Sequence, residues 1–99
     1  NNPNSEIAVF EGFFDYLTFR NLEREHSNCD YLILNSTVML YKVEKKLKKY
    51  DKISLFLDND ANGNTVKARI QNQYQNVEDC SLIYHGYKDL NEWFCKKEN

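Results

Sequence analysis

The chain has 99 residues, of which 41% are hydrophobic, 14% aromatic and 28% charged. This length allows one small hydrophobic core, and this composition excludes an intrinsically disordered segment. The formal net charge of -2 excludes a global positive field that would hold the chain on a phosphate backbone, so affinity for nucleic acid would come from a local patch, metal ions or other domains. No apolar run reaches the roughly 18 residues of a membrane-spanning helix, and no signal peptide is apparent, which predicts a soluble cytoplasmic domain without membrane contact.

The first five residues, NNPNS, are polar and include the single proline, which is typical of a linker. We therefore expect residues 6–99 to form one domain of a larger multidomain protein. Cys29, Cys80 and Cys95 are widely spaced without a C-x-x-C pair, so neither a disulfide framework nor a zinc ribbon is indicated. His26 and His85 lack metal-ligand spacing with each other or with a cysteine, and we interpret both as structural or exposed.

Strand and helix patterns alternate along the chain. Short runs rich in strand-forming residues occur at 7–10, 31–34, 53–57 and 80–84. Helical patterns follow at 13–25, at 39–50 with a stripe of Met39, Val43, Leu47 and Tyr50, at 66–74, and from about Asp89 after a turn at 85–87. This alternation predicts an α/β fold with a mainly parallel sheet of about four strands covered by helices.

Acidic residues follow three of the predicted strands. Glu11 follows the first strand, Asp58 and Asp60 follow the third, and Asp89 follows the fourth. Because ligands bind where the loops leave the carboxyl ends of parallel strands, we expect these acids to converge. Asp58 and Asp60 are separated by one residue, and at a strand end the alternation of side chains would turn both the same way, so that they share one cation.

The chemistry of these acids suits phosphoryl transfer. Carboxylate oxygens favour Mg²⁺ or Mn²⁺, which neutralise charge developing on a phosphate. Glu11 is the catalytic candidate, because a carboxylate among other carboxylates has a raised pKa and can transfer protons near neutral pH. Gly12 leaves room beside it for a phosphate or a metal-bound water, and Gly63 allows close approach of the backbone where the next helix begins.

The segment after the third strand is also compatible with a plain turn or with a calcium loop. Asp, Asn and Gly are ordinary turn and cap residues, so the segment could simply lead into a helix. Asp58, Asp60, Asn62 and Gly63 also match positions 1, 3, 5 and 6 of an EF-hand calcium loop. That loop needs a bidentate Glu at position 12, where this chain has Arg69, and a helix rather than a strand before it, so we set the calcium interpretation aside.

Four segments resemble the motifs of the Toprim family, the catalytic module shared by bacterial primases, type IA and type II topoisomerases and several nucleases. EGFFD at 11–15 resembles the Glu-Gly motif, and LNST at 34–37 is similar to the polar turn after the second strand. DNDANG at 58–63 with KAR at 67–69 resembles the D-x-D motif of the primase branch, and KDLNE at 88–92 resembles the primase Lys-Asp segment. The resemblance covers almost the whole chain in order.

This resemblance implies a Toprim (Rossmann-like) fold and a role for each acid. Glu11 would be the general acid or base, Asp58 and Asp60 would be metal ligands together with Asp89, and Asp15 would be a supporting acid near the metals. Asn91 stands where replicative primases usually carry a second Asp. In this feature the chain looks more like primase-like proteins of plasmids and other mobile elements, in which a zinc-binding domain usually precedes the Toprim domain.

Basic residues near the acids are candidates for contacts with phosphate. Lys67, Arg69 and Lys88 lie close to them in sequence, although each could equally be an ion-pair partner. A further basic run, Lys42, Lys45, Lys46, Lys48 and Lys49, is interpreted as a solvated helix face rather than a surface that steers nucleic acid.

The predicted function is primase-like nucleotidyl transfer that uses DNA and nucleotides, and the isolated domain is expected to be inactive. Topoisomerase- or nuclease-like strand cleavage is an alternative, and so is a non-catalytic Toprim-fold module for nucleic-acid binding or assembly. A phosphatase-like domain would use the first Asp of D-x-D as its nucleophile. Glu11 on another strand and the lack of a catalytic Lys segment weigh against that interpretation.

Overall fold

A computed structural model describes residues 5–22, 29–34 and 44–97 of the chain. The elements in chain order are β1 (Glu6–Phe10), α1 (Phe13–Leu22), β2 (Cys29–Ile33), a first 3-10 helix (Glu44–Lys49), β3 (Lys52–Phe56), α2 (Ala61–Gln73), β4 (Val77–Asp79), a second 3-10 helix (Ser81–Tyr84) and α3 (Leu90–Lys97). No helix in these ranges is both long and apolar enough to cross a membrane. All three cysteines lie within them and are free of disulfide bonds.

The four strands form one sheet in the order β2-β1-β3-β4. Every neighbouring pair is parallel, and Val9 of β1 lies between Leu32 of β2 and Leu55 of β3. The predicted α/β fold with a parallel sheet of about four strands is confirmed. From β1 the chain crosses to β2 at one edge of the sheet, whereas β3 lies on the opposite side of β1 and leads to β4 at the other edge. The loops after β1 and β3 therefore run in opposite directions and leave a crevice at the carboxyl ends of these two strands.

Alternating residues of the central strands supply two separate cores. Ile7 and Val9 of β1 belong to one cluster, in which Val66 and Ile70 of α2 cover the sheet. Ala8 and Phe10 face the opposite cluster, which contains residues of α1, the second 3-10 helix and α3. Both faces of the sheet are therefore covered, as is usual for parallel sheets.

An aromatic cluster holds α1 against the sheet. Phe10 stacks on Phe56 with ring centroids 5.0 Å apart, and Phe19 of α1 lies 5.0 Å from Phe56 and 5.5 Å from Phe10. Each such pair contributes about 0.5–1.5 kcal/mol beyond the burial of apolar area. This packing fixes the start of α1 next to the carboxyl end of β1.

The predicted position of the fourth strand is wrong. It was expected at 80–84, but β4 is the more polar segment Val77–Asp79, and Ser81–Tyr84 forms a 3-10 helix. The Asp79 carboxylate accepts a hydrogen bond from the Ser81 amide at 2.9 Å, which turns the chain out of the strand. Leu82, with 75% of its surface exposed, contributes little to the core, although it gave the segment its strand-like apolar pattern.

The two middle helices occur where they were predicted but differ in helix type or in their first residue. Leu47 and Tyr50 are buried as the predicted stripe requires, but they belong to the end of a 3-10 helix and its flank rather than an α-helix. Helix α2 begins five residues before the predicted start at 66, because Asp60 caps it. The predicted positions 23–25, 35–37 and 39–43, together with His26, lie outside the described residues.

Candidate metal and catalytic site

The first turn after β1 places two acids. Glu11 follows the last residue of β1 and is half-buried, and α1 begins two residues later and buries Asp15 within its first turn. The Asp15 carboxylate accepts a hydrogen bond from the backbone amide of Asn91 at 3.0 Å, and the hydroxyl of Thr18 donates to the Asn91 side chain at 2.8 Å. Asn91 therefore links the start of α3 to α1 and helps to hold Asp15 in place.

The loop after β3 gives its two aspartates different partners. The backbone amide of Asp58 donates to Glu11 Oε1 at 3.3 Å, which joins this loop to the one after β1. Asp60 Oδ1 accepts from the Gly63 amide at 2.7 Å and caps α2. Because β3 ends at Phe56, the side-chain alternation expected of a strand does not extend to this loop.

Three carboxylates from different segments come together at this edge of the sheet. Asp15, Asp58 and Asp89 each place an oxygen within 4.8 Å of the others. Asp89 Oδ1 accepts from the Glu92 amide at 2.8 Å, so the residue is oriented by the start of α3. Within the described part of the chain, Asp58 Oδ1 is buried without a hydrogen-bond partner. A buried, unpaired carboxylate oxygen beside two further carboxylates is a donor set suited to Mg²⁺ or Mn²⁺.

Burial and repulsion by neighbouring carboxylates raise the pKa values of Glu11, Asp15 and Asp58. Burial, followed by the charge of Asp58, raises the pKa of Glu11 to about 7. The pKa of Asp15 is raised to about 6, again chiefly by burial. The pKa of Asp58 is also raised, first by burial and then by the Asp89 and Asp60 charges. The negative charge of this cluster is therefore unfavourable without a cation, and a bound divalent ion would compensate this charge.

The acids line an open cleft of about 280 Å³. Its other lining residues are Gly12, Phe13, Phe14 and Asn91. Phe13 and Phe14 are 52% and 69% exposed, so an apolar wall stands beside the carboxylates. The sequence analysis assigns no role to these two rings, although two adjacent aromatic residues directly after a Glu-Gly pair are a usable signal.

The basic residues predicted to contact phosphate have different surroundings. Lys67 lies 3.0 Å from Asp79 Oδ2 and 3.1 Å from the Ser81 hydroxyl, with only 15% of its side chain exposed. It is thus an ion-pair partner at the β4 edge, the alternative that the sequence left open. Arg69 is half-buried on α2, whereas Lys88 is exposed on the loop before Asp89.

Removing the Glu11 charge should change how stability depends on pH. Between pH 4.5, the ordinary pKa of a Glu side chain, and about pH 7, the folded chain without metal keeps a proton on Glu11 that the unfolded chain has lost. Glu11 therefore lowers the free energy of unfolding as the pH rises through this range. Relative to the wild type, Glu11→Gln should gain about 1–2 kcal/mol above pH 7, after allowance for solvent screening, and little below pH 4.5. Urea denaturation in EDTA measures the difference. Glu6→Gln, at the exposed start of the same strand, should show no such trend, and equal pH profiles for the two variants would contradict the assignment.

Comparison with solved structures identifies similar folds. The primase fragment of the bacteriophage T7 primase-helicase protein matches with a TM-score of 0.73 and 19% identity, over 100% of this chain and 42% of that one. Primase domains bound to an RNA/DNA hybrid and dTTP, in a structure with the T7 lagging-strand DNA polymerase, match with a TM-score of 0.72 and 19% identity, over 99% and 51% of the two chains. A small Toprim domain protein from Bacillus stearothermophilus matches with a TM-score of 0.62 and 16% identity, over 96% and 86%. The chain thus spans about half the length of the T7 structures or less.

Sequence comparisons give the family. No significant match was found among curated proteins. A family profile described as Toprim-like matches residues 8–94, from the middle of β1 into α3. Because this match covers most of the chain and includes all the acids of the crevice, the chain belongs to the Toprim-like family.

Proposed function

We propose that this domain carries out metal-dependent phosphodiester chemistry on nucleic acid, as primase-like nucleotidyl transfer within a larger replication or mobilisation protein. The observation that carries the proposal is the cluster of the Asp15, Asp58 and Asp89 carboxylates, which have oxygens within 4.8 Å of one another, together with the buried, unpaired Oδ1 atom of Asp58. Membership of the Toprim-like family and the fold likeness to the T7 primase fragment support it.

Asp15, Asp58 and Asp89 would hold the Mg²⁺ or Mn²⁺ ion. Asp60, which the sequence also assigned to the metal, adds negative charge next to Asp58 while it caps α2. When bound, the ion supplies neutralisation of the charge that develops on the phosphoryl group. The hydrogen bond between Asn91 and Asp15 keeps the buried carboxylate aimed at the cluster.

Glu11 would be the general acid or base. Its Oε1 atom accepts a hydrogen bond from the Asp58 amide, and this bond holds the carboxylate at the rim of the cleft. In the metal-free chain burial raises the pKa of Glu11 to about 7, and as a general base this carboxylate would take the proton of an attacking hydroxyl and later release it to solvent.

Other domains of the parent protein would bind the nucleic acid strand. The net charge of -2 provides little general attraction for a phosphate backbone. The T7 chains, of which this domain covers 42% and 51%, contain further regions, and one of these structures includes an RNA/DNA hybrid and dTTP. We therefore propose DNA and nucleotides as ligands, an upstream zinc-binding or other DNA-binding domain as a partner, and the cytoplasm as the location.

Glu11→Gln in the full-length protein tests the catalytic role. We expect the rate of nucleotide incorporation or strand cleavage to fall by about 100-fold or more, the usual scale for a general acid or base, while Mn²⁺ binding is retained. An assay with template, nucleotides and Mg²⁺ or Mn²⁺ measures it, with Glu6→Gln as the charge-matched control. Equal rates in the two variants would exclude Glu11 from catalysis. A wild-type protein that binds Mn²⁺ but turns nothing over would instead favour the non-catalytic binding module.

A further inference from the structure

A second cleft of about 410 Å³ lies next to the acidic one. Its lining residues are Asn59, Asn64, His85, Gly86, Tyr87 and Lys88. Asn59 is the neighbour of Asp58 and Lys88 is the neighbour of Asp89, and these two acids line the first cleft. Two loops therefore contribute consecutive residues to different clefts, so the clefts are adjacent.

The lining of this second cleft is chemically opposite to that of the first. None of its six residues is acidic, and Asn64, His85 and Lys88 are exposed hydrogen-bond donors. Lys88 forms no salt bridge with the residues that the structure describes, and its charge acts on Asp58 of the neighbouring cleft. A cleft that has several hydrogen-bond donors, a lysine outside any salt bridge and no acidic lining residue is suited to an anion.

The loop that forms this cleft is held firmly. The Asn59 side-chain amide donates to the carbonyl of Tyr87 at 2.9 Å and to that of Tyr84 at 3.3 Å. The Asn59 backbone amide donates to the carbonyl of Lys88 at 2.6 Å. Gly86, with a φ of 93°, makes the turn between them in a conformation that other residues rarely adopt. The backbone that carries His85 and Lys88 is thus tied to the loop that carries Asp58.

We propose that this second cleft binds a phosphate group adjacent to the one held at the acidic cluster, through Lys88, His85 and Asn64. The inference rests on the proposed function, because the first phosphate is the one at the Asp15, Asp58 and Asp89 site. The adjacent phosphate belongs either to the tail of a nucleoside triphosphate or to the next position of a single strand. The chemistry is the same in both cases, and because neighbouring residues line the two clefts, one ligand can reach both.

The test compares Lys88→Ala and His85→Ala with Lys48→Ala, which removes the same charge as Lys88→Ala from the 3-10 helix before β3. The probes are a Mg²⁺-nucleoside triphosphate and a single-stranded DNA oligonucleotide, titrated into the chain and followed by NMR at Asn64 and His85. If the cleft binds the triphosphate tail, triphosphate affinity falls about five- to tenfold in both cleft variants. If it binds the strand, oligonucleotide affinity falls instead, and in Lys88→Ala the slope of log affinity against log salt decreases by about 0.7.

Two further results overturn the proposal. One is that both probes bind the cleft variants and Lys48→Ala equally, and the other is that neither probe shifts the signals of Asn64 or His85 in the wild type. A Mn²⁺ titration separates this failure from failure of the proposed function. The Lys88 charge lies near Asp58 and repels a cation bound there, so Lys88→Ala should bind Mn²⁺ at least as well as the wild type. If the wild type binds Mn²⁺ and Asp58→Asn does not, the acidic cluster is supported as the metal site, whatever the result for the second cleft.

Discussion

Asp58→Asn should abolish divalent-cation binding by this domain while leaving the fold intact. The Asp58 carboxylate has an oxygen within 4.8 Å of oxygens of Asp15 and Asp89, and its Oδ1 atom is buried without a partner, so it contributes both charge and a free ligand atom. Loss of residues that only support metal ligands costs about 10- to 100-fold in affinity, so loss of this ligand should cost at least about 100-fold. Titration with Mn²⁺, followed by calorimetry or paramagnetic relaxation, measures the change.

The matched control for this variant is Asp51→Asn. Asp51 is exposed just before β3, at the opposite end of the strand from Asp58, and its substitution makes the same change of charge. It should leave Mn²⁺ affinity unchanged. Without metal, Asp58→Asn should melt no lower than the wild type, because burial and the neighbouring acids raise the pKa of Asp58 and disfavour its charge. Retained Mn²⁺ affinity in a folded Asp58→Asn variant would exclude this cluster as the metal site.

Much of the architecture was accessible from the alternation of strands and helices. Buried parallel strands have continuous apolar runs, and the runs at 7–10 and 53–57 correspond to β1 and β3 at the centre of the sheet. The edge strand β4 escaped prediction because Val77 and Asp79 are only partly buried and Glu78 is exposed, so the segment need not be apolar. The apolar run after it is a 3-10 helix in which only Ser81 and Tyr84 are buried.

The composition of the acidic cluster depends on tertiary contacts that spacing does not contain. Asp15 lies within α1 rather than directly after a strand, so the rule of strand ends did not select it, and only the family resemblance placed it near the metal. It enters the cluster because α1 packs against α3 through Thr18 and Asn91. Conversely, Asp60 satisfied the spacing rule but directs one oxygen to the cap of α2. Helix packing and capping, rather than sequence separation, decide which carboxylates meet.

Gly63→Ala should destabilise the domain strongly, against the usual preference of helices for alanine. Gly63 is the third residue of α2, where Ala would normally gain up to about 1 kcal/mol over Gly. A Cβ atom at this position would lie 2.0 Å from the backbone oxygen of Asp58 and 2.9 Å from Glu11 Oε1. Relief requires the backbone of α2 to move away from the loop after β3, so we expect a net loss of about 2–4 kcal/mol. For a domain of this size that is a large share of a total stability of about 5–15 kcal/mol.

Gly12→Ala is the control, because the same substitution causes no steric overlap at that position. Its Cβ would lie 3.5 Å from Asp15 Oδ2, an ordinary contact distance, so its free energy of unfolding should change by less than about 1 kcal/mol. Urea denaturation of both variants in EDTA measures the contrast. Equal stability of the two would mean that α2 and the Asp58 loop are not in close contact. In the destabilised Gly63→Ala variant Mn²⁺ affinity should also fall, since the added Cβ atom would push on the Asp58 backbone and on Glu11, which a hydrogen bond joins to each other.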